Sequence, residues 1–126
     1  MATKKRIVIV EDDEAMQRLF RTYLTQDDHI VEIAGDGVEA VEKIALKDTD
    51  LVIMDFMLPK KGGYEIIKEI QEMNGGSPPV IAVTGRFQDA AAEKDIRSQP
   101  NVVDFFLKPV DHSEFMAAVD KALSNG

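Results

Sequence analysis

The sequence predicts a three-layer α/β protein, a five-stranded parallel sheet covered by helices on both faces. Short apolar runs rich in β-branched residues alternate along the whole chain with segments whose apolar residues recur at helical spacing. Three of these runs are unbroken by charge, as strands buried on both faces are, and two carry an acid, as strands at a sheet edge do.

The first strand is Ile7-Val8-Ile9-Val10. Met16, Leu19, Phe20, Tyr23 and Leu24 then fall on one face of an amphipathic helix. The second strand, Ile30-Val31-Glu32-Ile33, is broken by an acid. After the turn Gly35-Asp36-Gly37, Val38, Val41, Ile44 and Ala45 mark a second helix. The third strand, Leu51-Val52-Ile53-Met54, is unbroken. Ile66, Ile67, Ile70 and Met73 mark a third helix, ended by Gly75-Gly76. Val80-Ile81-Ala82-Val83 is the fourth strand. A fourth helix lies within Gln88–Arg97, alanine-rich and only weakly periodic. Val102-Val103-Asp104-Phe105-Phe106-Leu107 is the fifth strand, again broken by an acid. Phe115, Met116, Val119, Ala122 and Leu123 close the chain with a helix. Right-handed crossovers, with the acid-bearing strands at the edges, give the order 2-1-3-4-5, that of the flavodoxin-like fold.

Bulk properties bound the function. The 126 residues match one domain, so a single domain, 1–126, without an output domain is expected; 44% apolar and 30% charged residues suit a soluble globular chain. A net charge of -8 argues against nucleic acid as a partner, and the Lys4-Lys5-Arg6 cluster reads as a solvated terminus. The absence of cysteine excludes disulfides, thiolate metal sites and cysteine nucleophiles. His29 and His112 stand in no ligand-spaced motif. No apolar run approaches the roughly 18–20 residues of a membrane span, and no signal segment precedes the first strand, so a cytoplasmic protein without a membrane partner is expected.

In a parallel sheet the carboxyl ends of the strands share one rim, and ligands bind there where the strand order reverses. The first strand runs straight into Glu11-Asp12-Asp13-Glu14, the third ends in Asp55, the fourth in Thr84, and the fifth in Lys108-Pro109. Each has an ordinary reading alone: helix-capping acids, a turn before Pro59, a plain loop, a solvated lysine. Those readings do not explain why all four fall at carboxyl strand ends. Carboxylates crowded in one crevice repel unless a cation compensates, and oxygen-only ligation suits a hard ion such as Mg²⁺. Asp55 can then act as a nucleophile toward phosphorus, with Lys108 neutralising phosphoryl charge and Thr84 donating a hydrogen bond.

These segments, with Met54-Asp55-Phe56-Met57-Leu58-Pro59, Gly62-Gly63, Val83-Thr84-Gly85 and Phe105-Phe106-Leu107-Lys108-Pro109, closely resemble the receiver domain of bacterial two-component response regulators, over essentially the whole chain. The resemblance implies that Asp55 is phosphorylated from a sensor histidine kinase or a histidine phosphotransfer protein. It implies Mg²⁺, for which Mn²⁺ or Ca²⁺ can substitute, held by Asp12, Asp55 and the Met57 carbonyl with Glu11 assisting. A one-residue slip would make the acid pair Asp12-Asp13 instead. It further implies a cis bond before Pro109, and a relay through Thr84 and Phe105 to the face formed by the fourth helix, fifth strand and fifth helix. The output would be a changed affinity for a downstream protein target, and a phosphorylation-dependent homodimer is compatible with it. The chain departs from the family in Gln99-Pro100-Asn101, where a small Gly-Ala pair is common, and Phe105 lacks a hydroxyl. Of the competing functions, a metal-dependent phosphatase would want an acid two residues after Asp55, where Met57 stands. A silent scaffold would not need Asp12, Asp55, Thr84 and Lys108 together. A flavin phosphate would be repelled by the anionic first loop.

Overall fold

The structure is a computed structural model that describes residues 4–46, 48–56, 62–73, 76–85 and 90–124. Five strands and five helices alternate: β1 (Arg6–Val10), α1 (Glu14–Thr25), β2 (Ile30–Ala34), α2 (Gly37–Leu46), β3 (Leu51–Asp55), α3 (Gly63–Gln71), β4 (Val80–Thr84), α4 (Ala90–Arg97), β5 (Val102–Leu107) and α5 (His112–Ser124). All strand pairs are parallel, in the order β2-β1-β3-β4-β5. This is the flavodoxin-like order expected from the two acid-bearing runs.

The period-2 alternation of the central strands sorts their side chains into two layers. Ile7, Ile9, Leu51, Ile53, Ile81 and Val83 pack under α1 and α5 with Phe20, Leu24, Phe115 and Val119. Their immediate neighbours Val8, Val10, Val52, Met54 and Val80 pack under α2 and α3 with Ala40, Ile44, Ile66, Ile67 and Ile70. Phe20 and Phe115 join α1 to α5 with ring centroids 5.1 Å apart, a tilted contact that adds roughly 0.5–1.5 kcal/mol to their burial. A smaller cluster, Ala82, Ile96 and Phe105, seats α4 on β4 and β5.

Capping chemistry fixes the helix starts. Asp13 accepts a hydrogen bond from the Ala15 amide at the head of α1, and Asp36 accepts one from the Glu39 amide at the head of α2. Glu39 in turn accepts from the Gly35 amide, which completes a reciprocal cap.

Three expectations need correction. Arg6 is not part of a solvated tail: its guanidinium donates to Thr49 Oγ1 at 2.6 Å and to the Lys43 carbonyl at 3.0 Å, tying β1 to the end of α2. On α2, Val38 and Ala45 face water while Ala40 takes the buried place, because the helix turns a narrower stripe to the sheet. The third helix ends at Gln71, short of the expected Gly75-Gly76; Gly75 lies outside the described residues, and Gly76 has a left-handed φ of 89°. Among the described residues, no helix is long and apolar enough to cross a membrane.

Candidate functional site: an acidic crevice with one lysine

The carboxyl ends of β1, β3, β4 and β5 deliver five side chains to one rim. β1 ends at Val10, so Glu11 is the first residue past the sheet. Its amide still bonds to the Ala34 carbonyl, at 3.0 Å, and its side chain is only 1% exposed. Asp12 follows and is exposed. Asp55 closes β3 and is buried, and Thr84 closes β4 at 1% exposure. Lys108 follows β5, its amide bonded to the Thr84 carbonyl at 2.8 Å, and its peptide bond to Pro109 is cis.

One carboxylate oxygen from each of Glu11, Asp12 and Asp55 lies within 4.8 Å of the others. Asp13 takes no part in that trio; its side chain caps α1 and its amide donates to Glu11 Oε2 at 3.1 Å. The acid pair at this crevice is therefore Glu11-Asp12. Lys108 Nζ bridges two of the acids, donating to Glu11 Oε1 at 2.6 Å and to Asp55 Oδ2 at 3.1 Å.

Burial dominates the chemistry of Glu11. It raises the carboxyl from 4.5 to about 7, against the hydrogen bonds from Lys108 and the Asp13 amide, and the Asp55 charge adds to the rise. For Lys108, burial pulls the other way, but the hydrogen bonds to Glu11 and Asp55 and their charges outweigh it, so the ammonium is held above its usual value. The lysine stays charged while Glu11 exchanges a proton near neutrality.

The donor set fits a hard divalent cation. Three carboxylates converge without histidine or cysteine, and their oxygens are spaced as ligands around one ion are. Met57 lies outside the described residues, so its carbonyl has no position here. Beside Thr84, a Cβ built on Gly85 would meet nothing within 4 Å, leaving open space above the site. Phe105 lies three residues before Lys108, buried against α4. A recess of about 300 Å³ lies at the opposite rim between β5 and α5 among Pro79, Pro100, Val103 and Lys121, away from the carboxylates.

Gln17 was not anticipated. Its side-chain amide donates to the Glu11 carbonyl at 2.6 Å, holding the acid loop from α1. The signal was present: Gln17, Phe20 and Leu24 share the buried stripe's spacing, and a polar residue there needs a partner.

Comparison with known proteins agrees with this fold. The family model described as the response regulator receiver domain matches residues 7–120. The response regulator MprA of Mycobacterium ulcerans is 32% identical over 112 residues, which cover 89% of this chain and 47% of that protein. The chain thus spans about half the length of the curated relatives it matches. A CheY-like receiver domain from Methanospirillum hungatei superposes with a TM-score of 0.87 at 25% identity, covering 98% of this chain and 96% of that one. The receiver domain of a sensor histidine kinase from Pseudomonas aeruginosa, with magnesium coordinated in its active-site cleft, superposes with a TM-score of 0.85 at 24% identity, covering 97% and 99%.

Proposed function

Because the chain belongs to the response regulator receiver domain family, we propose that it is a phosphoacceptor switch whose Asp55 takes a phosphoryl group from a phosphohistidine. The donor is a sensor histidine kinase or a histidine phosphotransfer protein. The observation that carries the reading is the crevice itself: three carboxylates within 4.8 Å and one lysine bridging two of them.

Asp12 and Asp55, with the Met57 carbonyl and with Glu11 assisting, hold Mg²⁺, or Mn²⁺ or Ca²⁺ in its place. When bound, the ion would supply positive charge that offsets the charge on the phosphoryl oxygens. An Asp55 carboxylate oxygen forms the new bond to phosphorus as the phosphorus–nitrogen bond of the donor breaks and the imidazole leaves with the electron pair. Lys108, already 3.1 Å from Asp55 Oδ2, meets the phosphoryl charge from the other side. Thr84 donates its hydroxyl to a phosphoryl oxygen, with room beside it at Gly85. Water later releases phosphate from the acyl phosphate and restores the carboxylate.

Phosphorylation draws Thr84 toward the phosphoryl group and favours the inward position of Phe105, reshaping the α4–β5–α5 face. That face then binds a downstream protein target or a second copy of the chain. The setting is the cytoplasm, where phosphohistidine donors act.

Intact mass after incubation with acetyl phosphate tests the reading. One added phosphoryl group is expected, dependent on Mg²⁺ and lost in Asp55→Asn. A folded, Mg²⁺-binding protein that never forms the adduct would overturn it.

A further inference from the structure

Phe105 carries no hydroxyl, and its ring is packed away on an edge strand, only 5% exposed. Ala82 and Ile96 pack against it as one cluster. The Arg97 guanidinium also lies over the ring, 4.7 Å from its centroid, a cation–π geometry. Arg97 is itself oriented: its Nε donates to Glu93 Oε2 at 3.0 Å, one turn earlier on α4.

The end of α4 that carries Arg97 is anchored. Gln99, just past the helix and 8% exposed, donates to the Asp95 carbonyl at 3.2 Å and accepts from Gln71 of α3 at 3.1 Å. Arg97 therefore projects from a fixed base, so an outward turn of the ring breaks the guanidinium contact rather than carrying it along.

We propose that Arg97 is a latch on Phe105: its guanidinium, oriented by Glu93, holds the ring inward and presets the chain toward the form that phosphorylation favours. The inference rests on the receiver reading, in which Phe105 is the moving aromatic residue. Arg97 is a positioning residue, with no contact to the carboxylate crevice. A ligand that selects the inward form binds in proportion to how much of that form exists beforehand. Loss of a half-exposed cation–π contact should shift that balance about two- to fivefold.

The test is a titration of the Mg²⁺-loaded protein with beryllofluoride, a phosphoryl mimic, followed by its bound fluoride signal in fluorine NMR. Arg97→Ala should weaken beryllofluoride binding by about two- to fivefold while leaving the affinity for Mg²⁺ alone unchanged. Arg97→Lys, which keeps the charge but not the planar fork, should fall between. In a Phe105→Leu background the Arg97→Ala effect should vanish, because there is no ring to hold. An unchanged affinity in Arg97→Ala, or the same loss with and without Phe105, overturns the latch while the receiver chemistry stands. If the unmutated, Mg²⁺-loaded chain takes up no beryllofluoride, the receiver reading falls and the latch falls with it.

Discussion

Glu11 should make the metal-free protein lose stability as pH rises, and the structure sets the size of the effect. The residue is 1% exposed, and its carboxyl is raised from 4.5 to about 7, so between those values the folded chain holds a proton that the unfolded chain has released. Stability therefore falls with increasing pH across that window. At 1.36 kcal/mol per pH unit, the whole window corresponds to about 3 kcal/mol, of which about 2.5 kcal/mol falls between pH 5 and pH 8. Lys108 does not contribute in this range. As a cation held above its usual value of 10.5, it stabilises the fold at every pH below that and loses its contribution only at higher pH.

The assay is urea unfolding of metal-free wild type and Glu11→Gln at intervals from pH 5 to pH 8, urea being chosen because it does not screen charge. Every other titrating group is common to both proteins, so the difference between the two profiles isolates Glu11. Relative to the glutamine variant, wild type should lose about 2–3 kcal/mol across the range. Saturating Mg²⁺ should remove most of that loss by favouring the ionised carboxyl. If the two profiles run parallel to within about 0.5 kcal/mol, Glu11 is already ionised in the fold at pH 5 and burial does not dominate its chemistry.

Other perturbations follow from the same geometry. Lys108→Met should slow phosphorylation by acetyl phosphate by about 100-fold or more, because the phosphoryl charge loses its protein cation; a time course of the mass adduct shows this, and an unchanged rate would exclude Lys108 from the transfer. Gly63→Ala should destabilise by about 1–3 kcal/mol in urea, since a Cβ there would lie 2.9 Å from the Phe56 Cα, a backbone atom that cannot swing aside. Asn101→Leu should cost about 1–3 kcal/mol by the same measurement, since Asn101 accepts from Gln71 and donates to the Ile67 carbonyl and to Ser77. A neutral result there would mean that water replaces the amide.

The sheet was readable because its strands differ in kind. Val8, Val52 and Val80 sit in charge-free runs and prove fully buried, while Glu32 and Asp104 marked the two edge strands. The crevice was readable because Asp55 and Thr84 terminate their strands, which places them at one rim whatever the loops do. Contacts that depend on long side chains reaching across elements were not readable. Arg6 sits in a basic triplet that looks solvated, and only the fold reveals that the end of α2 lies within reach of its guanidinium. Gln99 and Asn101 stand on either side of a proline, and nothing in the sequence pairs them with α3, yet each is 8% exposed and both accept from the Gln71 side-chain amide. The choice between Glu11 and Asp13 depended on whether the strand stopped at Val10, a boundary that sequence pattern locates only to within a residue or two.

On the proposed reading, the charge balance at the rim would link metal binding to phosphorylation. Among the described residues three carboxylates face one ammonium, so with every one of those acids ionised two negative charges are left over. Without a cation the crevice can relieve only part of this, by keeping the proton on Glu11 near neutral pH. A divalent ion would cancel the remainder and make that proton dispensable. On the proposed reading, a transferred phosphoryl group would restore negative charge beside Asp55, and Lys108 would have to answer it. An ammonium has three N–H donors, and Lys108 directs two of them at Glu11 and Asp55. Full engagement with a phosphoryl group would therefore weaken its hold on Glu11. Because the Lys108 amide is bonded to the Thr84 carbonyl, a shift of the lysine is felt at the end of β4 as well as β5. The two strand ends proposed to read the phosphoryl group thus lead directly to Phe105 and α4.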